Sequence, residues 1–180
     1  MKAPTLTTAR LILRAIRRDD FEPFAAMWND PRVTAFIGGE PKPRDAAWRR
    51  FCQAVGLWSL IGYGYWLIVE RDTDLMVGVG GFANFERGIA ELDGFPEVGW
   101  AFTADSWGKG YASEAVAAML AWSDAALPDH EVRCIIDHGN IPSRRVAKKC
   151  GFVQIADIEA AIGAVTVFGR MAGGSVTPPA

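Results

Sequence analysis

The stretch Glu97-Val98-Gly99-Trp100-Ala101-Phe102, continued by Thr103-Ala104-Asp105-Ser106-Trp107-Gly108-Lys109-Gly110-Tyr111-Ala112, constrains this chain more than any other. An apolar run of strand length leads into a glycine-bearing loop. Tyr111, Ala115, Ala118, Met119 and Trp122 then recur along one helical face between Lys109 and about Leu127. A strand therefore enters a helix N-terminus through a loop whose Gly108 and Gly110 allow close backbone approach. The first N–H groups of a helix lack partners within it, and its dipole adds partial positive charge there, so the junction suits an anion such as phosphate. A plain glycine turn would have the same composition. The Walker pattern is absent, since no Gly-Lys-Ser/Thr follows, and Gly-x-Gly-x-x-Gly fails at Ser113.

Around this junction the elements alternate. Leu11 to Ile16 reads as a strand, and Asp19-Asp20 supply caps for a helix through about Asn29, closed by Pro31. After Pro41 and Pro43, the residues Trp48, Phe51, Cys52 and Val55 recur at helical spacing towards Leu60, and Gly62-Tyr63-Gly64 breaks the pattern. Tyr65 to Glu70 and Met76 to Phe82 form a hairpin around Asp72-Thr73-Asp74; Pro96 to Phe102 is the next strand. Val132 to Ile136 is a further strand, and Asn140 caps a helix with Pro142 in its first turn, Lys148 and Lys149 in its last and Gly151 beyond. Phe152 to Ala156 and Thr166 to Met171 are the final strands. The reading is one α/β (α+β) domain over residues 5–171, a mixed sheet with helices on both faces, and a flexible tail over 172–180.

Composition removes several function classes. With 19 Lys and Arg against 21 Asp and Glu, the net charge of -2 gives no broad cationic field for nucleic acid. Cys52, Cys134 and Cys150 form no CxxC and cannot all pair, which speaks against a disulfide framework or a metal site and for a reducing cytoplasm. Phe51 to Val69 is uncharged and long enough for a membrane span, but Gly56, Gly62 and Gly64 interrupt it and Tyr65-Trp66-Leu67-Ile68-Val69 is strand-like. No apolar leader follows Met1-Lys2-Ala3-Pro4. A soluble cytoplasmic protein without a membrane partner is expected.

Trp107-Gly108-Lys109-Gly110-Tyr111-Ala112 resembles the pyrophosphate loop of the GNAT superfamily of acetyl-CoA-dependent N-acetyltransferases, with Gly110 and Ala112 at its fixed small positions. Trp107 departs from the usual Arg or Gln, as in the branch that includes ribosomal-protein-alanine N-acetyltransferases. Thr8-Ala9-Arg10-Leu11-Ile12-Leu13-Arg14 resembles that branch's first strand, and Asn140-Ile141-Pro142-Ser143 with Gly151-Phe152 is similar to its Asn-x-x-Ser, helix, Gly-Phe sequence. The resemblance implies a mostly antiparallel sheet splayed between its fourth and fifth strands, those at 96–102 and 132–136, with acetyl-CoA in the gap. It implies pantetheine beside the backbone of Ala101, Phe102 and Thr103, and pyrophosphate on the loop from Trp107 through Gly108, Lys109, Gly110 and Tyr111 to Ala112. Asn140 and Ser143 would complete the cofactor site. No metal is expected, and the assembly would be a monomer or homodimer.

Amide formation sets further requirements. An amine like that of lysine, with a pKa of about 10.4, is mostly protonated at neutral pH, so a base or water relay must take a proton before attack. Glu97 is the candidate, although an edge-strand surface Glu fits the same pattern. A backbone N–H near Phe102 suits the oxyanion, and the departing thiolate, with a pKa of about 8.5, needs only a hydrogen-bond donor, which Ser143 suits. Ser143 also suits a local bond to its own backbone, Asn140 a simple N-cap, and Lys109 a solvated loop. Glu114 is accounted for by the helix dipole, and Cys134, His138 and Cys150 by core or loop positions, with a thiol relay through Cys150 left open. Arg144, Arg145, Lys148 and Lys149 either hold a CoA phosphate or form a solvated face. Trp28, Trp48, Trp58 and Tyr63 either wall an acceptor pocket or belong to the core. The acceptor is a protein N-terminus, an amino acid or another small amine; the alternative function is a non-catalytic acyl-CoA sensor or interaction module.

Overall fold

Alternation in the central strands decides how the layers assemble. In a computed structural model describing residues 2–127, 131–160 and 163–173, Trp66 and Ile68 face one side of the sheet while Leu67 and Val69 face the other, and all four are buried. The strands are β1 (Leu6–Thr7), β2 (Leu11–Arg14), β3 (Tyr65–Glu70), β4 (Met76–Ala83), β5 (Glu97–Phe102), β6 (Val132–Asp137), β7 (Val153–Ala160) and β8 (Gly163–Arg170). They form one sheet in the order β1-β2-β3-β4-β5-β6-β8-β7, antiparallel except at β5–β6. The helices are α1 (Phe21–Asn29), α2 (Pro31–Thr34), α3 (Arg44–Leu60), α4 (Tyr111–Ala126) and α5 (Ile141–Lys149).

Each face carries its own core. Phe21, Phe24, Met27 and Trp28 of α1 and Ala47 and Phe51 of α3 pack on Leu67, Val69, Val79 and Ala101. On the other face, Ala115, Val116, Met119 and Leu120 of α4 pack on Trp66, Ile68, Phe82, Val98 and Phe102. Burying each large apolar side chain contributes about 1.5–3 kcal/mol, so both layers are held firmly to the sheet. The uncharged run Phe51 to Val69 is divided between the end of α3 and β3, and no helix among the described residues is long and apolar enough to cross a membrane.

Some local expectations are corrected. The buried stripe of α3 is Ala47, Phe51, Ala54 and Trp58, whereas Trp48, Cys52 and Val55 are exposed. The helix turns its alanines inward because small side chains permit close approach to α1 and the sheet. Asp19-Asp20 do not cap α1. The residues Arg18–Asp20 form a 3-10 turn, and the Asp20 carboxylate instead takes the Arg14 guanidinium at 2.7 and 2.8 Å and the Arg17 N–H at 2.6 Å. Pro31 begins α2 beneath the Asp30 cap, and the last two strands are longer than expected, 153–160 and 163–170. Of the expected tail, 174–180 lies outside the described residues.

Glu114 does more than complement the α4 dipole. Its buried carboxylate accepts from Thr8 Oγ1 at 2.6 Å, Arg10 N at 2.9 Å and Arg10 Nε at 2.8 Å, tying the N-terminal segment to the start of α4. Burial pushes its pKa up, but the bonds from Thr8 and Arg10 outweigh this and hold it below the ordinary glutamate value. A depressed carboxyl pKa stabilises the fold above the unfolded value, and that contribution is lost as pH falls through the folded one. Glu114→Gln should therefore cost about 1–3 kcal/mol in urea unfolding at pH 7. The gap to wild type should narrow below the ordinary value of 4.5; a pH-independent gap would contradict this assignment.

Candidate active site

The single parallel junction creates the site. β4 and β5 pair from Gly78↔Phe102 to Ala83↔Glu97, but β5 and β6 pair only at Glu97↔Arg133 and then part, the splay expected between the strands at 96–102 and 132–136. Thr103 N–H donates to Val77 O at 2.9 Å and Arg133 N–H to Pro96 O at 3.0 Å. In an antiparallel ladder both polar groups of a residue point the same way. The backbones of Gly99, Ala101 and Thr103 therefore face β4, while those of Trp100 and Phe102 face the gap. The backbone pairing expected near Ala101 and Phe102 is narrowed accordingly: Ala101 reaches the gap through its side chain. Phe102 O accepts the Trp107 indole N–H at 3.0 Å.

Beyond the gap, Gly108 at φ 76° and Gly110 at φ 80° turn the chain into α4. Both angles lie in the left-handed region where a side chain is strained. Gly110 stands at the N-cap, so the N–H groups of Tyr111, Ala112 and Ser113 open the helix without partners in the preceding turn. Arg10 Nη1 fixes the loop by donating to Lys109 O at 2.8 Å. Tyr111 turns its side chain away, donating its hydroxyl to Glu70, and Thr103 uses its carbonyl within the loop to accept from Ser106.

Two adjacent cavities lie along the splay. A narrow one of about 160 Å³ is lined by Phe102, Trp107, Ala112, Pro142 and Val146 among others, next to the start of α4. A wider one of about 640 Å³ reaches Tyr65, Arg87 and Glu97. Phe36, Ile37, Trp100, Ala101, Asn140 and Ser143 line both, so the two are adjacent. Asn140 Oδ1 accepts from Ser143 N–H at 3.1 Å, which is the N-cap role. The Ser143 hydroxyl makes no hydrogen bond among the described residues, so the expected bond to its own backbone is not formed.

Glu97 is not an edge residue. It is 7% exposed, on a strand flanked on both sides, and Arg87 donates Nε to Oε2 at 2.9 Å and Nη2 to Oε1 at 3.1 Å. Each carboxylate oxygen keeps acceptor capacity beyond that contact. Parity places Glu97, Gly99 and Tyr65 on the face covered by α1 and α3, and the Tyr65 hydroxyl lies against Gly99, where a Cβ would come within 2.4 Å of it. Burial, then the Glu97 charge, push the Tyr65 pKa up, keeping it a neutral donor. Tyr65, Arg87 and Arg50 were missed in the sequence because their convergence depends on layer packing; the period-two pattern of β3 was the one available signal for Tyr65. Of the four candidate wall aromatics only Trp28 lines the cavity: Trp48 stacks outside on Phe51, and Trp58 joins Trp66 and Trp122. Arg144 turns to Thr166 Oγ1 at 2.8 Å, away from its basic neighbours.

The family model described as an acetyltransferase (GNAT) domain matches residues 10–153. The chain belongs to the GNAT acetyltransferases. It is 29% identical over 149 residues to the uncharacterized N-acetyltransferase p20 of Bacillus licheniformis, covering 82% of each chain. Its structure is similar to an acetyltransferase from Agrobacterium tumefaciens at TM-score 0.82 and 26% identity, over 94% of this chain and 95% of the other. The ribosomal-protein-S5-alanine acetyltransferase of Vibrio fischeri shares the fold at TM-score 0.75 and 18% identity, over 95% and 98%. In this GNAT domain the two buried thiols are not poised as nucleophiles, although Cys134 lines the wide cavity. Cys150 is buried and burial pushes its pKa up to about 11; Cys134, also buried, is raised still more clearly. A thiol relay through Cys150 is therefore disfavoured, since the thiolate is the nucleophile. An aromatic disulfide reagent at pH 8 should label exposed Cys52 rapidly and the other two only on unfolding; rapid labelling of Cys150 in the native protein would contradict the buried assignment.

Proposed function

We propose that this GNAT acetyltransferase moves an acetyl group from acetyl-CoA directly to a primary amine, with Glu97 as base and Ser143 as hydrogen-bond donor to the leaving thiolate. The observation that carries the reading is the pair of adjacent cavities that extend from the start of α4, past the gap-facing backbone of Trp100 and Phe102, to Glu97. The residues fit the cosubstrate: the N–H groups of Tyr111, Ala112 and Ser113 suit pyrophosphate, and Trp100 and Asn140 offer polar groups to a pantetheine amide. Trp107, Gly108 and Lys109 frame the loop, and Thr103 anchors its entry. Acetyl-CoA supplies the thioester, whose C–S bond is exchanged for the new C–N bond.

Glu97, directly or through water, receives the amine proton, and Arg87 orients the carboxylate. Phe102 N–H faces the gap and suits an oxyanion on the acetyl carbonyl. Ser143 lines both cavities, and its hydroxyl donates a hydrogen bond to the departing thiolate, which takes its proton from solvent. The sensor alternative is disfavoured because a binding module has no need of a carboxylate and a free hydroxyl converging at the gap.

Thiol release from acetyl-CoA with a panel of amines tests the reading directly. Ala112→Glu places a negative charge where the helix tolerates it and an anion does not, so acetyl-CoA affinity should drop ~10-fold or more by calorimetry without loss of Tm. On an accepted amine, Glu97→Gln should lower kcat ~100-fold and recover partly towards pH 10 as free amine becomes abundant. Ser143→Ala should lower kcat by ~10-fold with acetyl-CoA affinity nearly unchanged. Wild-type rates for both variants, with chemistry rate-limiting, would remove these two residues from the mechanism.

A further inference from the structure

The wide cavity contains a cation that the transfer chemistry does not use. Arg50 reaches it from α3, its guanidinium carbon 4.4 Å from the centroid of the Trp28 ring. Among the described residues, no carboxylate pairs with Arg50; its contacts are the Trp28 face and the fields of Tyr65 and Arg87. Lys42, on the same wall, also forms no ion pair among the described residues. The two acids that line the cavity are already engaged. Glu97 holds Arg87, and Asp137 Oδ1 accepts the Gly139 N–H at 2.7 Å in the turn before α5.

The acceptor end thus presents an excess of positive charge, an unexpected feature for a pocket whose substrate is an amine. A polyamine or a lysine-rich segment would be repelled by Arg50 and Lys42, whereas Arg87 is compensated by Glu97. A planar guanidinium braced on an aromatic ring with its N–H fork uncommitted matches the bidentate geometry of a carboxylate. Resting on the acetyl-transfer reading above, we propose that the acceptor is a small amine bearing a carboxylate, as a free amino acid does, and that Arg50 binds that carboxylate while Glu97 faces the amine. Burial carries the Arg50 pKa below the ordinary arginine value, the signature of a desolvated charge whose solvation an anionic ligand would replace. Trp28 adds a second feature in the same wall: its indole N–H is buried without a protein acceptor. The volume of about 640 Å³ accommodates a molecule of amino-acid size beside the thioester.

The test uses the full chain, saturating acetyl-CoA and matched probes: the common L-amino acids, their α-amides, the corresponding decarboxylated amines, and spermidine. Free acids should be the acetylated class, with kcat/KM at least ~10-fold above the matched amide, the weight of one charge-assisted contact. Arg50→Met should raise KM for the best acid by ~10–100-fold with kcat within ~3-fold, and should bring the acid-to-amide ratio towards one. Arg50→Lys, which keeps the charge but not the fork, should fall between, and calorimetric acetyl-CoA binding verifies that each variant is folded. Amides, simple amines or spermidine accepted as well as the acids would overturn the proposal, as would an unchanged acid KM in folded Arg50→Met. If acetyl-CoA binds but no acid is acetylated, the carboxylate assignment fails alone; if acetyl-CoA does not bind, the transferase reading fails with it.

Discussion

The parting of β5 from β6 is the constraint on which the rest of this molecule depends. A parallel pair placed inside a sheet ordinarily continues its ladder, because unpaired backbone groups in the interior are costly. Here the ladder ends at Glu97↔Arg133. Phe102 O, the polar group at the far end of the gap, is satisfied by the Trp107 indole N–H, which occupies the direction a β6 donor would need. Trp107 thus has a physical role that an Arg or Gln at this position would not fill in the same way. The gap is flanked by Trp100 and Phe102 on one side and by Asn140, Ser143 and Val146 on the other, a mixture that suits a chain of alternating amides and methylenes.

The splay works only if the helix N-terminus at its mouth is held still. Glu114 and Arg10 provide this: the carboxylate gathers Thr8 and Arg10, and Arg10 in turn holds Lys109 O. Two stretches about a hundred residues apart in sequence, each of which resembles the same family on its own, are therefore one mechanical unit. That explains why the Thr8-Ala9-Arg10 segment and the acid in the first turn of α4 belong together. The dipole argument for Glu114 was sound but incomplete, because a solvated acid would serve the dipole equally and this one is buried.

The two faces of the sheet divide the labour. The α4 face is a dense apolar core that fixes the strand positions, with Trp66, Phe82 and Met119 among its fully buried side chains. The α1–α3 face is interrupted where Tyr65, Glu97 and Arg87 meet α3, and the larger cavity lies there. Polar groups concentrate on the face with fewer apolar contacts to lose, so chemistry and packing do not compete for the same positions. In that cavity both lining acids are engaged, while Arg50 and Lys42 form no ion pair among the described residues.

The sequence alone was sufficient for the order of elements, the glycine junction, the Asn140 cap and the splay implied by resemblance, because each rests on local periodicity, φ preferences or short motifs. It named Glu97 and Ser143 as candidates through the resemblance, which implies an acid early on the strand before the loop and a Ser at the Asn-x-x-Ser helix start. It misjudged part of the buried face of α3, where Ala47, Ala54, Leu57 and Trp58 turn inward with Phe51 while Trp48, Cys52 and Val55 face out, and the role of Asp20, where the reach of Arg14 outweighed capping preference. Only the tertiary structure decided which backbone groups enter the gap, that Glu97 is paired with Arg87, and that Arg50, without an ion pair among the described residues, lines the same cavity. Side chains from α3, β3, β5 and the loop after β4 meet there through packing of two layers on a twisted sheet, and no spacing along the chain encodes the distance between residues that far apart.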